Sequence, residues 1–144
     1  MSWLTFARTA AIGASLTFVA CGSGGTTPTS PTTPTTYPQK TESYNGSIAP
    51  GETKWFHFTV ENPGSLDAAI TSLSPVSTLT MGLYLGGWDA TNEACSKSNI
   101  FSDGARLNLV LSGTPQAAGE YCVAIYDVGN LQSSSDFGLT VLHY

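Results

Sequence analysis

From Tyr44 onward the apolar residues fall in short runs at every second position, a period that fits strands and not amphipathic helices. Phe56, Phe58 and Val60 alternate with Trp55, His57 and Thr59, and Leu66, Ala68 and Ile70 repeat the pattern. Leu79, Met81, Leu83 and Leu85 follow, then Leu107, Leu109 and Leu111, then Tyr121, Val123 and Ile125, and last Phe137, Leu139 and Val141. Successive side chains of a strand point to opposite faces, so one side of each run belongs to a core and the other faces outward. Turn-forming residues separate the runs: Ala49-Pro50-Gly51, Asn62-Pro63-Gly64, Gly86-Gly87, Asp103-Gly104, Gly113-Thr114-Pro115 and Gly129-Asn130. These six runs, with a further strand over residues 44–48, recur about every ten residues, the spacing of a two-sheet sandwich. The expected fold is all-β, a single antiparallel β-sandwich of jelly-roll or Greek-key type with seven or eight strands.

That domain is expected over residues 43–144, and the remainder of the chain reads as an address and a tether. Residues 1–20 have the form of a signal peptide, with Arg8 ahead of an uncharged run from Thr9 to Ala20. Twelve helical residues rise about 18 Å, well short of the roughly 30 Å a permanent span must cross. The run ends Phe18-Val19-Ala20-Cys21, which resembles the lipobox of bacterial lipoproteins, with Phe18 where Leu is usual. The resemblance implies acylation of Cys21 and anchoring in a membrane through several acyl chains, which hold far better than one. Gly22, in place of the Asp that retains lipoproteins at the inner membrane, points to the outer membrane or cell surface. The alternative is an ordinary signal-peptidase cut, which favours small residues one and three before the cut and suits Phe18 less well. Residues 21–42 then hold the lipidated Cys and a Thr/Pro/Gly-rich tether, too poor in aliphatic residues to offset the entropy of ordering it. A flexible coil of that length averages about 25 Å end to end and an extended one approaches about 60 Å.

Composition narrows the function classes. Charged residues are 10% of the chain and the formal charge is −5, which becomes −6 if Arg8 leaves with the leader. Lys40, Lys54, Lys97 and Arg106 would be the only strong cations left, too few to line a phosphate backbone, so nucleic acid is excluded as a partner. With Cys21 assigned to lipid, Cys95 and Cys122 form an even pair in an exported domain and are expected to bond. Cys122 alternates outward from Tyr121, Val123 and Ile125, and Cys95 is expected in a polar loop over residues 86–100 that the bridge would pin across an outer face. Chain entropy assigns such a bridge about 3.5 kcal/mol.

Four segments, SIAPGETKWFHFTVENPGSLDAAI, LTMGLYLGG, GEYCVAIYD and SDFGLTVLHY, together are similar to the bacterial pre-peptidase C-terminal domain, a β-sandwich appended to many secreted proteases. The shared features are Pro-Gly before an aromatic strand, a Leu-Tyr strand, a Gly-x-Tyr-x-Val strand and a closing aromatic-x-Leu-x-Val strand. Ile125 and Phe137 depart from the usual Val and Tyr, and no peptidase stands ahead of the domain in this sequence. The resemblance implies a sandwich and, at most, an accessory role toward a separate protease.

No catalytic constellation is legible. His57 and His143 are the only histidines, read as partly exposed strand residues with His143 subject to terminal fraying, and no Gly-x-Ser-x-Gly or Ser-x-x-Lys motif occurs. No cofactor is expected except a possible Ca²⁺, for which Asp89, Asn92, Glu93 and Asp103 supply the oxygen chemistry, with Asn99 and Asp127 nearby in sequence. The same residues are ordinary turn formers. Trp55, Tyr84, Trp88 and Tyr126 fall outside the core set and are the candidate ligand-binding residues for an envelope protein or polysaccharide. The reading is a non-enzymatic lipoprotein displaying a β-sandwich, with a purely structural envelope protein as the alternative. Replacement of Cys21 by Ser is expected to abolish metabolic palmitate labelling and release the protein from the detergent phase of membranes; unchanged labelling would remove the anchor.

Overall fold

A computed structural model describes residues 36–144. The expected signal peptide, Cys21 and most of the tether lie outside the described residues. The described chain forms β1 Lys40–Ile48, β2 Thr53–Val60, β3 Leu66–Ser74, β4 Met81–Asp89, β5 Ala94–Ala105, β6 Val110–Gly113, β7 Gly119–Tyr126 and β8 Ser135–His143. They build two four-stranded antiparallel sheets ordered β1-β8-β3-β6 and β2-β7-β4-β5. Strand β1 pairs with β8, β2 with β7, β3 with β6 and β4 with β5. The chain is therefore one antiparallel ribbon, doubled back at the β4–β5 turn and rolled so that successive pairs alternate between the sheets. That is the jelly roll.

The period-two residues meet between the sheets. Phe58, Val60, Leu66, Ala68, Ile70, Met81, Leu83, Leu85, Val123, Ile125, Phe137, Leu139 and Val141 are each at most 4% exposed. At roughly 1.5–3 kcal/mol for each large side chain removed from water, this layer supplies the main drive to fold. On the β1–β2 side, Tyr44 stacks on Phe56 at 4.6 Å between centroids, and Phe56 meets Phe137 edge-on at 6.0 Å. Burial, helped by the charge of Glu42, pushes the Tyr44 phenol up to about 12, so it stays a neutral donor to the His57 carbonyl.

Four local expectations give way. Residues 86–100 are not a loop: β4 continues through Gly86-Gly87 to Asp89, and β5 begins at Ala94 and contains Asp103-Gly104. Strand β5 lies at a sheet edge and its side chains are mostly exposed, so its sequence carries too few apolar residues to register as a strand. The turn instead falls at 90–93, where the Asp89 carboxylate accepts the N–H groups of Thr91 and Asn92. Leu107 and Leu109 precede β6 in a turn in which Asn108 takes a left-handed φ of 66° and donates to the Ile70 carbonyl. Strand β1 begins at Lys40, ahead of the strand expected over residues 44–48, because Lys40, Thr41 and Glu42 pair with His143, Leu142 and Val141. His143 is neither frayed nor exposed: β8 lies between β1 and β3, and the ring is fully buried, stacked on Phe58 at 5.1 Å.

Asp127 joins two loops at one end of the roll. One carboxylate oxygen accepts the N–H groups of Gly129, Asn130 and Leu131, and the other accepts that of Gly51, 76 residues away. Partial desolvation raises its pKa, but the four N–H groups of Gly51, Asn130, Leu131 and Gly129 outweigh it and hold the carboxyl below its usual range. A depressed carboxyl stabilises the fold above its unfolded value of about 3.9, and that contribution is lost as pH falls through the folded value. Asp127→Ala is expected to lower the unfolding free energy by about 1–3 kcal/mol at pH 7. In urea titrations the gap between variant and wild type should narrow as pH drops below about 4.

Candidate functional site

The two outer faces of the sandwich have different chemistry. On the β1-β8-β3-β6 sheet the register turns Thr41, Ser43, Asn45, Ser47, Asp136, Thr140, Leu142, Asp67 and Ala69 outward, and no aromatic side chain is among them. On the β2-β7-β4-β5 sheet it turns outward Trp55 and His57 from β2, Cys122, Ala124 and Tyr126 from β7, Tyr84 and Trp88 from β4, and Lys97 and Phe101 from β5. The four aromatic residues read from the sequence as candidates thus share one face. Cys122 and Ala124, although outward, are fully buried, so this sheet carries an additional layer over its central strand.

Small residues under that layer let the rings lie flat. The Tyr126 ring occupies the space that a Cβ on Gly82 would need. Tyr84 and Tyr126 pack at 5.9 Å with a tilt of 51°, and His57 stacks on Trp88 at 4.8 Å and 20°. Lys97 Nζ stands 4.1 Å from the Phe101 centroid, 5.0 Å from Tyr126 and 5.7 Å from Tyr84, a cation held by three ring faces. The ammonium also donates to Tyr126 Oη at 3.3 Å, and the Tyr126 hydroxyl donates to the Asp103 carboxylate. Burial first, then the hydrogen bond and charge of Asp103, push the Tyr126 phenol up to about 12. Burial likewise raises Tyr84, whose hydroxyl donates to the Cys95 carbonyl at 3.4 Å. Trp55 and Phe101 remain 45% and 47% exposed at the two sides of the layer.

The disulfide builds this face. Cys95 and Cys122 are bonded with their Cα atoms 5.7 Å apart, although β4 lies between β5 and β7. Strands two places apart in a flat sheet are separated by about 9.5 Å, so β5 has to fold toward the outer face, over β4. It does so at Gly86, where a Cβ would collide with the Ser96 carbonyl oxygen. Cys95 thus sits in a strand, not in the expected loop, yet the bridge still pins that strand across the outer face. Between the pairs Tyr84↔Phe101 and Gly86↔Lys97, β4 advances two residues while β5 advances four. The irregularity places Phe101 and Lys97 on the same face and closes the cage around the ammonium.

Sequence reasoning placed His57 outward without joining it to the aromatic set, and it missed Lys97 and Phe101. The pattern Lys97, Phe101, Asp103 carries no clean alternation because extra residues interrupt it, so only the register reveals it. The candidate Ca²⁺ ligands do not converge. Asp89 accepts the Asn92 side-chain amide and the N–H groups of Asn92 and Thr91, which hold its carboxyl below the usual range and occupy it in the turn. Glu93 sits in the same turn with a φ of 49°, and Asp103 lies at the far end of the hairpin, about six strand residues or roughly 20 Å away. Among the described residues, no group of three or more His, Cys, Asp or Glu is placed to hold a metal ion.

No family model and no curated protein sequence matches this chain. Among solved structures it is similar to PliG of Aeromonas hydrophila, a periplasmic lysozyme inhibitor of g-type lysozyme. The identity is 11% and the TM-score 0.47, over 72% of this chain and 84% of that one. A likeness of that size carries no argument about function. The site's own geometry yields a direct test: Gly86→Ala is expected to cost about 1–3 kcal/mol in urea unfolding, because the Ser96 backbone has to retreat. The same variant should shift the resonances of Lys97 and Phe101; an unchanged midpoint would show that the strands do not meet there.

Proposed function

We propose that this chain is a non-catalytic, exported recognition module, anchored by lipid on Cys21, that binds an envelope protein or polysaccharide on the outer face of the β2-β7-β4-β5 sheet. The observation that carries this reading is the confinement of the aromatic layer to one of two otherwise equivalent outer faces. Rings that merely covered a thin sandwich would be needed on both sheets, and the opposite face manages with Ser, Thr, Asn and Asp beside the aliphatic Ala69, Val110 and Leu142. Rigid aromatic side chains offer large contact area at low entropic cost and dominate the energy of many interfaces. Tyr126, Lys97 and Asp103 add a polar chain that gives the face directional contacts.

The non-catalytic reading rests on what the histidines do. His57 is committed to the Trp88 stack, and His143 is sealed in the interior, 3.7 Å from Glu42. The resemblance to the pre-peptidase C-terminal domain supports a display role, since such sandwiches are carried as appendages, but the fold alone does not name a ligand. A tether between a lipidated Cys21 and β1 would hold the face clear of the headgroups and free to meet a partner.

Trp55, nearly half exposed, tests the reading with less disturbance than Trp88, which packs against His57. Trp55→Ala and Trp88→Ala are each expected to weaken capture of envelope proteins or insoluble glycans by about 1 kcal/mol or more, while Asn45→Ala on the opposite face leaves it intact. Thermal unfolding on the same samples separates lost binding from lost folding. Folded Trp55→Ala protein that binds like wild type would return these rings to a structural role, and a wild-type domain that captures nothing would favour a structural envelope protein.

A further inference from the structure

A second feature lies on the inward side of the same sheet, behind the aromatic face. A cavity of about 300 Å³ opens where the edges of the two sheets approach each other, between β5 and β6. Leu66, Leu85, Ile100, Pro115 and Tyr121 provide most of its wall. It lies at the end of β6, where Gly113 pairs with Leu66 and the chain leaves the sheet through Thr114, Pro115 and Gln116. The extra residues of β5 that place Lys97 and Phe101 outward also bring Ile100 to the cavity wall.

The lining leaves a ligand little to hydrogen-bond. Ser98 Oγ donates to the Leu85 carbonyl at 2.6 Å and accepts the Ile100 N–H at 3.1 Å. The Tyr121 hydroxyl donates to the Ala117 carbonyl at 3.0 Å, and the Gln116 amide donates to the Thr114 carbonyl at 2.9 Å. Among the described residues no charged side chain lines the space. Protein interiors are otherwise close-packed, and apolar cavities stay dry and accept apolar guests. At roughly 30 Å³ for each non-hydrogen atom, the space accommodates about ten. Its walls are aliphatic around a single ring, so the guest they suit is a chain and not a stacked ring system.

We infer that this cavity binds one unbranched alkyl chain of about eight to ten carbons. The polar end of the ligand stays in water beside Thr114 and Gln116, and the chain displaces no hydrogen bond on entering. Neither the aromatic face nor the anchor is needed for this binding, so the inference stands apart from the function proposed above.

The test titrates the whole protein with straight-chain alcohols of six to twelve carbons and follows the methyl resonances of Leu66, Leu85 and Ile100. The dissociation constant is expected to fall about fourfold for each added methylene and to level off near ten carbons, when the cavity is full. A single-chain lysophospholipid in the same titration separates a lipid-borne chain from a free one, since only the free form binds if the headgroup blocks the mouth. Gly87 offers the blocking variant: a Cβ there meets nothing within 4 Å, and its φ is not left-handed. Gly87→Leu is expected to fill the space, keep or raise the melting temperature, and weaken decanol binding more than tenfold. The inference is overturned by methyl resonances that do not move, by affinity independent of chain length, by indole binding as tightly as decanol, or by a folded Gly87→Leu protein that binds decanol like wild type.

Discussion

The fold-over of β5 onto Gly86 is the contact on which the distinctive parts of this molecule depend. A jelly roll starts from its innermost hairpin, here β4–β5, and every outer pair is laid around it. In this chain the hairpin leaves the plane of its own sheet, because Gly86 has no side chain to keep the Ser96 backbone away. The Cys95–Cys122 bridge then ties β5 to the central strand β7, across 27 residues of sequence. Fold-over and bridge act together. Without the glycine the cysteines would sit two strand spacings apart, and without the bridge the displaced strand would be held mainly by an irregular ladder.

The consequences appear on both sides of the sheet. Outward, the displaced strand brings Lys97 and Phe101 beside Tyr84 and Tyr126, and the resulting layer buries Cys122 and Ala124 on a face that would ordinarily be wet. Inward, the same irregularity brings Ile100 to the wall of the cavity beside the short strand β6. One local distortion thus shapes the aromatic face and the cavity behind it. Asp127 makes a separate contribution at the end of the roll, where its four N–H partners fix two connections.

Much of the fold was legible in the sequence because it rests on local rules. Alternation in Phe56–Val60, Leu66–Ile70 and Phe137–Val141 reports burial on one face, and those residues form the observed core or pack against it. Alternation carries no such signal where burial is not one-sided. Strand β5 lies at an edge with a largely exposed sequence, Gly86-Gly87 resembles a turn yet continues β4 and lets β5 approach closely at Gly86, and Leu107 and Leu109 alternate in a connection. His143 misled for the opposite reason: a polar side chain near the end of the chain suggests fraying, while its strand lies in the middle of a sheet.

By itself, the sequence determined the class of fold, the core face of most strands, the pairing of Cys95 with Cys122 and the place of Trp55, Tyr84, Trp88 and Tyr126 outside the core, Trp88 in an expected loop. These follow from periodicity and from the arithmetic of cysteines, which need no knowledge of neighbours. Only the tertiary structure decided that those four aromatic side chains share one face, that Lys97 and Phe101 join them, and that the opposite face has no counterpart. It also separated the carboxylates that sequence had grouped, placing Asp103 beside Tyr126 and Asp89 in a distant turn. The physical reason is register: which residues become neighbours depends on how strands slide, bulge and fold over one another, and that depends on contacts between segments far apart in the chain.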